Sequence, residues 1–183
     1  MSLQNWWKYT IGYKEAGDLL LRNALEGGRQ HVLVFPIIFL YRHYIELILK
    51  EIIMNNRAFL GISENFPNYH NIDRLWEICR ENFQKVDEAI DPQFTKSEEY
   101  QKIVEGYSVL EIDLRKFAVL DPTSESFRYP VDNRGRPIVV DKKNVNLKEL
   151  PELINRISEA LEGISVGAYE ILKQKEDGMH CYD

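Results

Sequence analysis

Residues 32–53 read VLVFPIIFLYRHYIELILKEII, an apolar segment interrupted by Arg42, His43, Glu46 and Lys50. If this segment is wound as an α-helix, apolar side chains cover nearly all of its faces. Such a helix is typical of the centre of a bundle, since a surface helix keeps one polar face. The four interrupting side chains are then at risk of burial, which costs free energy unless each has a partner. They therefore form either a structural polar network or the floor of a site.

The composition is that of one globular domain. With 183 residues the chain is long enough for a hydrophobic core, and its 44% hydrophobic and 28% charged residues exclude wholesale disorder. A net charge of −6 provides no overall attraction to nucleic acid or to an anionic membrane, although a local basic pocket remains compatible with it. We expect a single domain across residues 1–183.

Two features of the sequence favour a cytoplasmic protein. Its two cysteines are too few for a disulfide framework, as is typical of a reducing compartment. The N-terminal segment lacks the basic start and apolar core of a signal peptide.

The longest apolar run, residues 32–41, is about half of the roughly 20 residues that cross a bilayer. We therefore expect no association with a membrane.

Hydrophobic spacing and end signals predict five helices, so that the chain is all-α. Asn71 is the expected N-cap of the third helix, and Thr95 with Glu98 forms an expected capping box for the fourth. Asn146 with Glu149 gives the same signal for the fifth helix. The predicted ranges are 6–26, 30–56, 71–90, 95–120 and 146–175.

An insertion separates the fourth and fifth predicted helices, where residues 126–140 read SFRYPVDNRGRPIVV. Apolar residues flank the turn-like tetrad at 132–135, whereas Pro130 and Pro137 argue against a central strand. We expect a short irregular β-hairpin laid over the helical bundle.

The second helix carries the main candidate site residues. His43, Glu46 and Lys50 are spaced so that they lie on one helix face. His43 could act as a general acid or base tuned by Glu46, because imidazole titrates near neutral pH. The alternative is a hydrogen-bonded polar strip that holds neighbouring helices in register. Arg42, on the adjacent seam, needs a carboxylate partner, and Asp113 on the fourth helix is the expected one.

His70 stands at the start of the third predicted helix, immediately before Asn71. A helix N-terminus attracts anions through its free N–H groups and its dipole, so His70 could join a phosphate site. The alternative is a side chain that packs on the preceding loop.

The segment FRYP, residues 127–130, offers a further cation. Pro130 restricts Tyr129 to an extended conformation, so that Phe127 and Tyr129 are predicted to share one face and Arg128 the other. Arg128 then either points outward or inserts towards the bundle, near Glu46 or Asp113 or as a phosphate clamp.

Several familiar chemical signatures are absent from the sequence. It has no glycine-rich phosphate loop, no HExxH motif, no Glu-x-x-His pair of a di-iron bundle and no Ser or Cys nucleophile motif. The four histidines lack the spacing of metal ligands. We expect neither a metal nor a cofactor.

Two segments resemble those of the HEPN superfamily of small all-α domains. They are YRHYIELILKEII at residues 41–53 and YHNIDRLW at residues 69–76, and the likeness extends over roughly residues 6–175. The FRYP element resembles one found in an uncharacterised bacterial subgroup with this fold. The resemblance implies an antiparallel helical bundle, often dimeric, that is associated with RNA cleavage in toxin and antiphage systems or with nucleotide binding.

The sequence departs from the ribonuclease members of that superfamily. Those members carry an Arg followed by four to six residues and a His, usually on a late helix. No Arg-His pair has this spacing here, since the nearest, Arg22 and His31, are too far apart. The predicted fifth helix contains Arg156 but no His.

Two functional hypotheses follow. The first is a non-catalytic, dimeric HEPN-like module, in a defence or toxin–antitoxin context, that binds a nucleotide, a nucleic-acid end or a protein partner. The second is a divergent metal-independent ribonuclease, in which His43 or His70 supplies acid–base chemistry and Arg42 or Arg128 stabilises charge. The candidate binding residues are Arg42, His43, Glu46, Lys50, His70, Asp113, Arg128 and Tyr129.

The first predicted helix bears on the partner question, because it is rich in aromatic residues. Trp6, Trp7, Tyr9 and Tyr13 are core residues or, if they are exposed, a homodimer face.

Overall fold

A computed structural model of the chain describes residues 5–63, 66–121, 127–132, 134–138 and 145–180, without the side chains of residues 179 and 180. These residues form five α-helices and a short 3-10 helix at Phe94–Lys96, which confirms the all-α class. The α-helices are α1 (Trp6–Gly27), α2 (Gln30–Leu60), α3 (Ile72–Ile90), α4 (Glu98–Ala118) and α5 (Leu150–His180).

The central element is α2, as its sequence predicts. It packs against α1, α3 and α5, while α4 packs against α3 and α5. Ile38, Ile45 and Leu49 of α2 are completely buried, because neighbouring helices cover several of its faces. By length and composition alone α2 could cross a membrane, a test that core helices of soluble proteins also pass, and 56% of its most apolar 18-residue window is buried.

The end of α2 differs from the prediction. The helix continues to Leu60 instead of ending near residue 56, and Gly61 then adopts a left-handed conformation with φ of 69°. Its N–H bonds to the carbonyl of Ala58 at 3.2 Å. Glycine accepts this conformation without a steric penalty and so sets the true helix end.

The helix starts are only partly as predicted. Asn71 does cap α3, since its side-chain oxygen accepts a hydrogen bond from the Arg74 N–H at 2.8 Å. The capping box predicted at Thr95 does not form. Thr95 lies inside the 3-10 helix, and its hydroxyl donates to the carbonyl of Pro92 instead of capping α4. Ser97 is the cap instead, accepting from the Tyr100 N–H at 3.1 Å.

The last helix extends further than predicted at its C-terminal end and begins later. α5 starts one turn after Asn146, whose side-chain amide donates to the Glu149 carboxylate at 2.7 Å. It ends at His180, so the last helix contains both Arg156 and a histidine. These two residues are much further apart than the pair that ribonuclease members of the HEPN superfamily carry.

Of the hairpin predicted at residues 126–140, the described part of the insertion shows a single β-bridge. In its described part, residues 127–132 and 134–138, Val131 and Pro137 form an isolated antiparallel bridge but no strand. Between them, the Asp132 carboxylate accepts hydrogen bonds from backbone N–H groups of the turn, and Gly135 has a φ of 74°. Proline lacks the N–H that a ladder requires, which limits the pairing to this bridge. Residues 126, 139 and 140 lie outside the described residues.

Candidate functional site

Three charged side chains on successive turns of α2 are buried together. Arg42, Glu46 and Lys50 are only 4%, 6% and 4% exposed. Lys50 Nζ donates to Glu46 Oε1 at 2.8 Å, and Arg42 Nη1 lies 3.5 Å from Glu46 Oε2. Because the residues are spaced by four, the carboxylate lies between two cations on one side of the helix.

Two other parts of the chain complete this buried cluster. Arg42 donates from Nη2 to the carbonyl of His70 at 2.6 Å and from Nε to the carbonyl of Asp121 at 3.2 Å. The Asp121 carboxylate lies 3.6 Å from the same Nε, and His70 Nδ1 lies 2.9 Å from Glu46 Oε1. The cluster therefore joins α2 to the loop before α3 and to the residues after α4.

Neighbouring charges favour the ionised forms of Glu46 and Arg42 in spite of their burial. Burial alone would raise the pKa of Glu46, but the hydrogen bond and charge of Lys50, with those of His70, outweigh it and lower the pKa. Burial lowers the pKa of Arg42, against the opposing effect of the Asp121 and Glu46 carboxylates. An arginine remains charged at neutral pH, so the contacts of Arg42 with the Glu46 and Asp121 carboxylates are ion pairs inside the protein. This geometry is that of a structural polar network.

His43 has surroundings different from those of the other α2 site residues. Its half-buried ring lies edge-on to Tyr13, with centroids 4.3 Å apart, and stacks on Phe39 at 5.9 Å. Burial lowers its pKa, the charge of Glu46 opposes this effect, and Arg128 lowers the pKa further. The lowered pKa favours the neutral imidazole of His43 at pH 7, in contact with the rings of Tyr13 and Phe39.

The Arg128 side chain is exposed and lies against α2. Its guanidinium carbon lies 5.7 Å from the centroid of the Phe39 ring and 5.5 Å from that of Tyr129. Phe127 is buried, whereas Tyr129 is 54% exposed, so the prediction that these two rings share a face is wrong. The chain turns at residues 127–128, and the alternation of an extended strand does not apply there.

The predicted pair of Arg42 and Asp113 does not form. Asp113 instead accepts hydrogen bonds from Arg156 at 2.7 and 3.2 Å and from Lys116 at 3.0 Å. The Arg156 hydrogen bond is the main reason why the pKa of Asp113 is lowered. Asp113 thus links α4 to α5, apart from the cluster around Arg42.

Asp121 is the site residue that the sequence analysis missed. In the sequence it belongs to an Asp-Pro pair that signals only the end of the fourth helix. Its contact with Arg42 spans 79 positions, and no spacing rule connects residues so far apart.

Apart from the exposed His70, the accessible candidate residues lie around Arg128, in a group that we call the Arg128 patch: Phe39, His43, Arg128 and Tyr129. Three cations lie close enough to affect pKa values in the patch or in the adjoining buried cluster, namely Arg42, Lys50 and Arg128. Two carboxylates, those of Glu46 and Asp121, have the opposite effect. This small excess of positive charge lies within a chain of net charge −6. An exposed guanidinium above aromatic rings can bind a phosphate while a ring stacks on a base.

Within the described ranges, no group of three or more His, Cys, Asp and Glu side chains could hold a metal ion. Comparisons with protein-family models, curated proteins and solved structures find no match to this chain.

Proposed function

We propose that the chain is a HEPN-like antiparallel helical bundle, with a hairpin-like insertion, that binds a nucleotide or the end of an RNA strand without cleaving it. The Arg128 patch would be the binding site. The buried cluster of Arg42, Glu46 and Lys50 would serve this site indirectly, by holding α2 and the neighbouring loops in position.

The observation that carries this proposal is the environment of Arg128. Its side chain is exposed, and its contacts are with the faces of Phe39 and Tyr129. Among the residues that the structure describes, no carboxylate forms an ion pair with it. Stacking on a ring orients a guanidinium but leaves its N–H donors free for a phosphate. The exposed Tyr129 ring adds a surface on which a base can stack.

His43 would add a pH-dependent contribution. Its pKa is lowered in the free protein, mainly by burial, from the ordinary value of 6.5. A phosphate bound beside it would favour the imidazolium form and raise that pKa, so binding would take up a proton. Affinity should therefore increase as the pH falls from 7.5 to 6, and a His43→Gln variant should lose this increase.

The test is a binding titration with fluorescently labelled single-stranded RNA and with labelled ATP. Arg128→Ala should weaken binding at least tenfold and reduce the slope of log K against log salt by about 0.7, the value for one lost phosphate contact. Tyr129→Ala should lower the affinity by about 1–3 kcal/mol if a base stacks on the ring. Arg134→Ala, an exposed arginine in the same insertion, is the matched control and should bind normally. Equal binding by the wild type and Arg128→Ala would refute the proposal.

One observation favours the ribonuclease alternative. His70 is exposed over 65% of its side chain, while its Nδ1 lies 2.9 Å from the buried Glu46 carboxylate. A carboxylate that orients an imidazole in this way is typical of a general acid or base. Incubation with labelled tRNA distinguishes the two functions: cleavage that is lost in a folded His70→Ala variant establishes a ribonuclease. Binding without cleavage supports the module proposed above, and the absence of both favours a scaffold for a protein partner.

A further inference from the structure

A groove of about 1070 Å³ lies on the side of the bundle that is formed by α1, α2 and α5. Both α1 and α5 pack against α2, and they scarcely contact each other. The surface of α2 between them therefore forms the floor of the groove, with Tyr44 and Ile48 among its lining residues. The Arg128 patch shares no residue with this groove.

Large apolar side chains on both walls of the groove are exposed to solvent. On α1, Trp7 and Ile11 are 51% and 43% exposed, and on α5, Val166 and Tyr169 are 61% and 52% exposed. The two residues on each helix are three or four positions apart, so each pair forms a strip along one helix face. Two apolar strips that line a common groove are typical of a surface that binds another helix.

The groove is also strongly acidic. Among the described residues that line it, Lys14 is the one basic residue, and its ammonium already pairs with the Asp18 carboxylate at 2.9 Å. Six of the described lining residues are acidic, and all but the paired Asp18 lack an ion pair with a described residue: Glu15, Asp18, Glu51, Glu159, Glu162 and Glu170. An anionic partner such as RNA or an acidic membrane is therefore repelled, and a cationic one is attracted.

Glu51 places one of these carboxylates near the floor. Its side chain is half-buried, and burial raises its pKa despite an opposing hydrogen bond with Ser165. Among the described residues, no lysine or arginine forms an ion pair with it. A cation supplied by a partner would compensate this desolvated carboxylate.

We propose that this acidic groove binds a cationic amphipathic helix of a partner protein. The apolar face of that helix would lie between the α1 and α5 strips, and its Lys or Arg residues would reach the carboxylates on both walls. A groove of about 1070 Å³, divided by the roughly 80 Å² cross-section of a helix about 10 Å wide, accommodates about two to three turns. A second copy of the chain fits less well, because two chains of net charge −6 repel each other.

The probe for this proposal is a labelled 14-residue peptide with two repeats of Leu-Lys-Lys-Leu-Leu-Lys-Leu, titrated by fluorescence anisotropy. The control peptide has Glu in place of every Lys. We expect the Lys peptide to bind with micromolar affinity and the Glu peptide to bind at least a hundredfold more weakly.

Charge-reversed proteins then locate the binding. Glu159→Lys combined with Glu170→Lys changes two exposed wall residues and should weaken the Lys peptide at least tenfold. Glu176→Lys combined with Asp177→Lys makes the same change in net charge on α5 outside the groove, and should alter binding less than twofold.

Three outcomes would overturn the proposal. The first is no binding of the Lys peptide up to millimolar concentration, and the second is an equal loss of binding in both charge-reversed proteins. The third is a wild-type dimer, detected by light scattering, that dissociates when Trp7 is replaced by Ala, since the groove would then belong to a second copy. None of these results bears on RNA binding by Arg128, so the two proposals can fail separately.

Discussion

Replacing Lys50 by Met tests whether the buried cluster on α2 is structural. Methionine keeps most of the length and volume of the lysine stem, and removes only the ammonium group. In the wild type this group lies 2.8 Å from Glu46 Oε1, with the two side chains 6% and 7% exposed. The substitution therefore leaves a buried carboxylate without its closest cation.

The magnitude follows from the remaining partners of Glu46. Breaking a buried ion pair by removing one partner costs about 3–5 kcal/mol. Glu46 retains His70 at 2.9 Å and Arg42 at 3.5 Å, which favours the lower end of that range. We expect a loss of about 3 kcal/mol in the free energy of unfolding, or about 6–12 °C in Tm for a domain of this length.

The assay is urea unfolding followed by circular dichroism at pH 7, with the wild type, Lys50→Met, Glu46→Gln and the double variant. The double variant should be more stable than the sum of the two single losses predicts, by more than about 1 kcal/mol, because the single changes disrupt the same contact. Lys14→Met is the control: its ion pair with Asp18 has a similar length of 2.9 Å and the same spacing, but the side chains are 20% and 36% exposed. It should cost about 0.5 kcal/mol or less.

The pH dependence gives an independent check. The pKa of Glu46 in the folded protein is below its ordinary value of 4.5, so the unfolded chain binds more protons between these two values. The stabilisation is therefore fully present above pH 4.5 and is lost as the pH falls through the lowered pKa. The difference in stability between the wild type and Lys50→Met should narrow below pH 4.5. A loss equal to that of Lys14→Met, or strictly additive single and double variants, would refute the structural reading.

Two further predictions concern the core. Gly17→Ala should destabilise the protein by about 1–3 kcal/mol, because the new Cβ would lie 2.9 Å from the ring of the buried Tyr41. The same change at Gly106, where nothing lies within 4 Å, should stabilise α4 by about 0.5–1 kcal/mol in the same urea titration, and equal effects at both sites would contradict the packing argument. Cys79 is completely buried, and burial raises the pKa of its thiol, so it should react with a disulfide reagent only as fast as the protein unfolds. This is measured in a Cys181→Ser background, and rapid labelling in native buffer would show that the core opens locally.

Much of the helical architecture could be predicted because its signals are local. The apolar faces of residues 32–53 identified α2 as the central helix, and Asn71 correctly marked the start of α3. The prediction failed where two local signals compete: Thr95 and Ser97 are both good caps, and the 3-10 turn decides between them. It also failed at residues 127–128, where a turn breaks the alternation of side chains that an extended backbone up to Pro130 would give.

The sequence by itself determined that Arg42, Glu46 and Lys50 share the most buried helix and need partners, because helical periodicity and the cost of burying charge are properties of a single segment. Only the tertiary structure decided which partners they have. Arg42 binds the carbonyls of His70 and Asp121, which are 28 and 79 positions away. Such pairings depend on how neighbouring helices and loops are rotated and placed around α2. The same packing separates His43 from the cluster and leaves Arg128 free to meet a ligand, because a helix's own spacing says nothing about which neighbour covers each face.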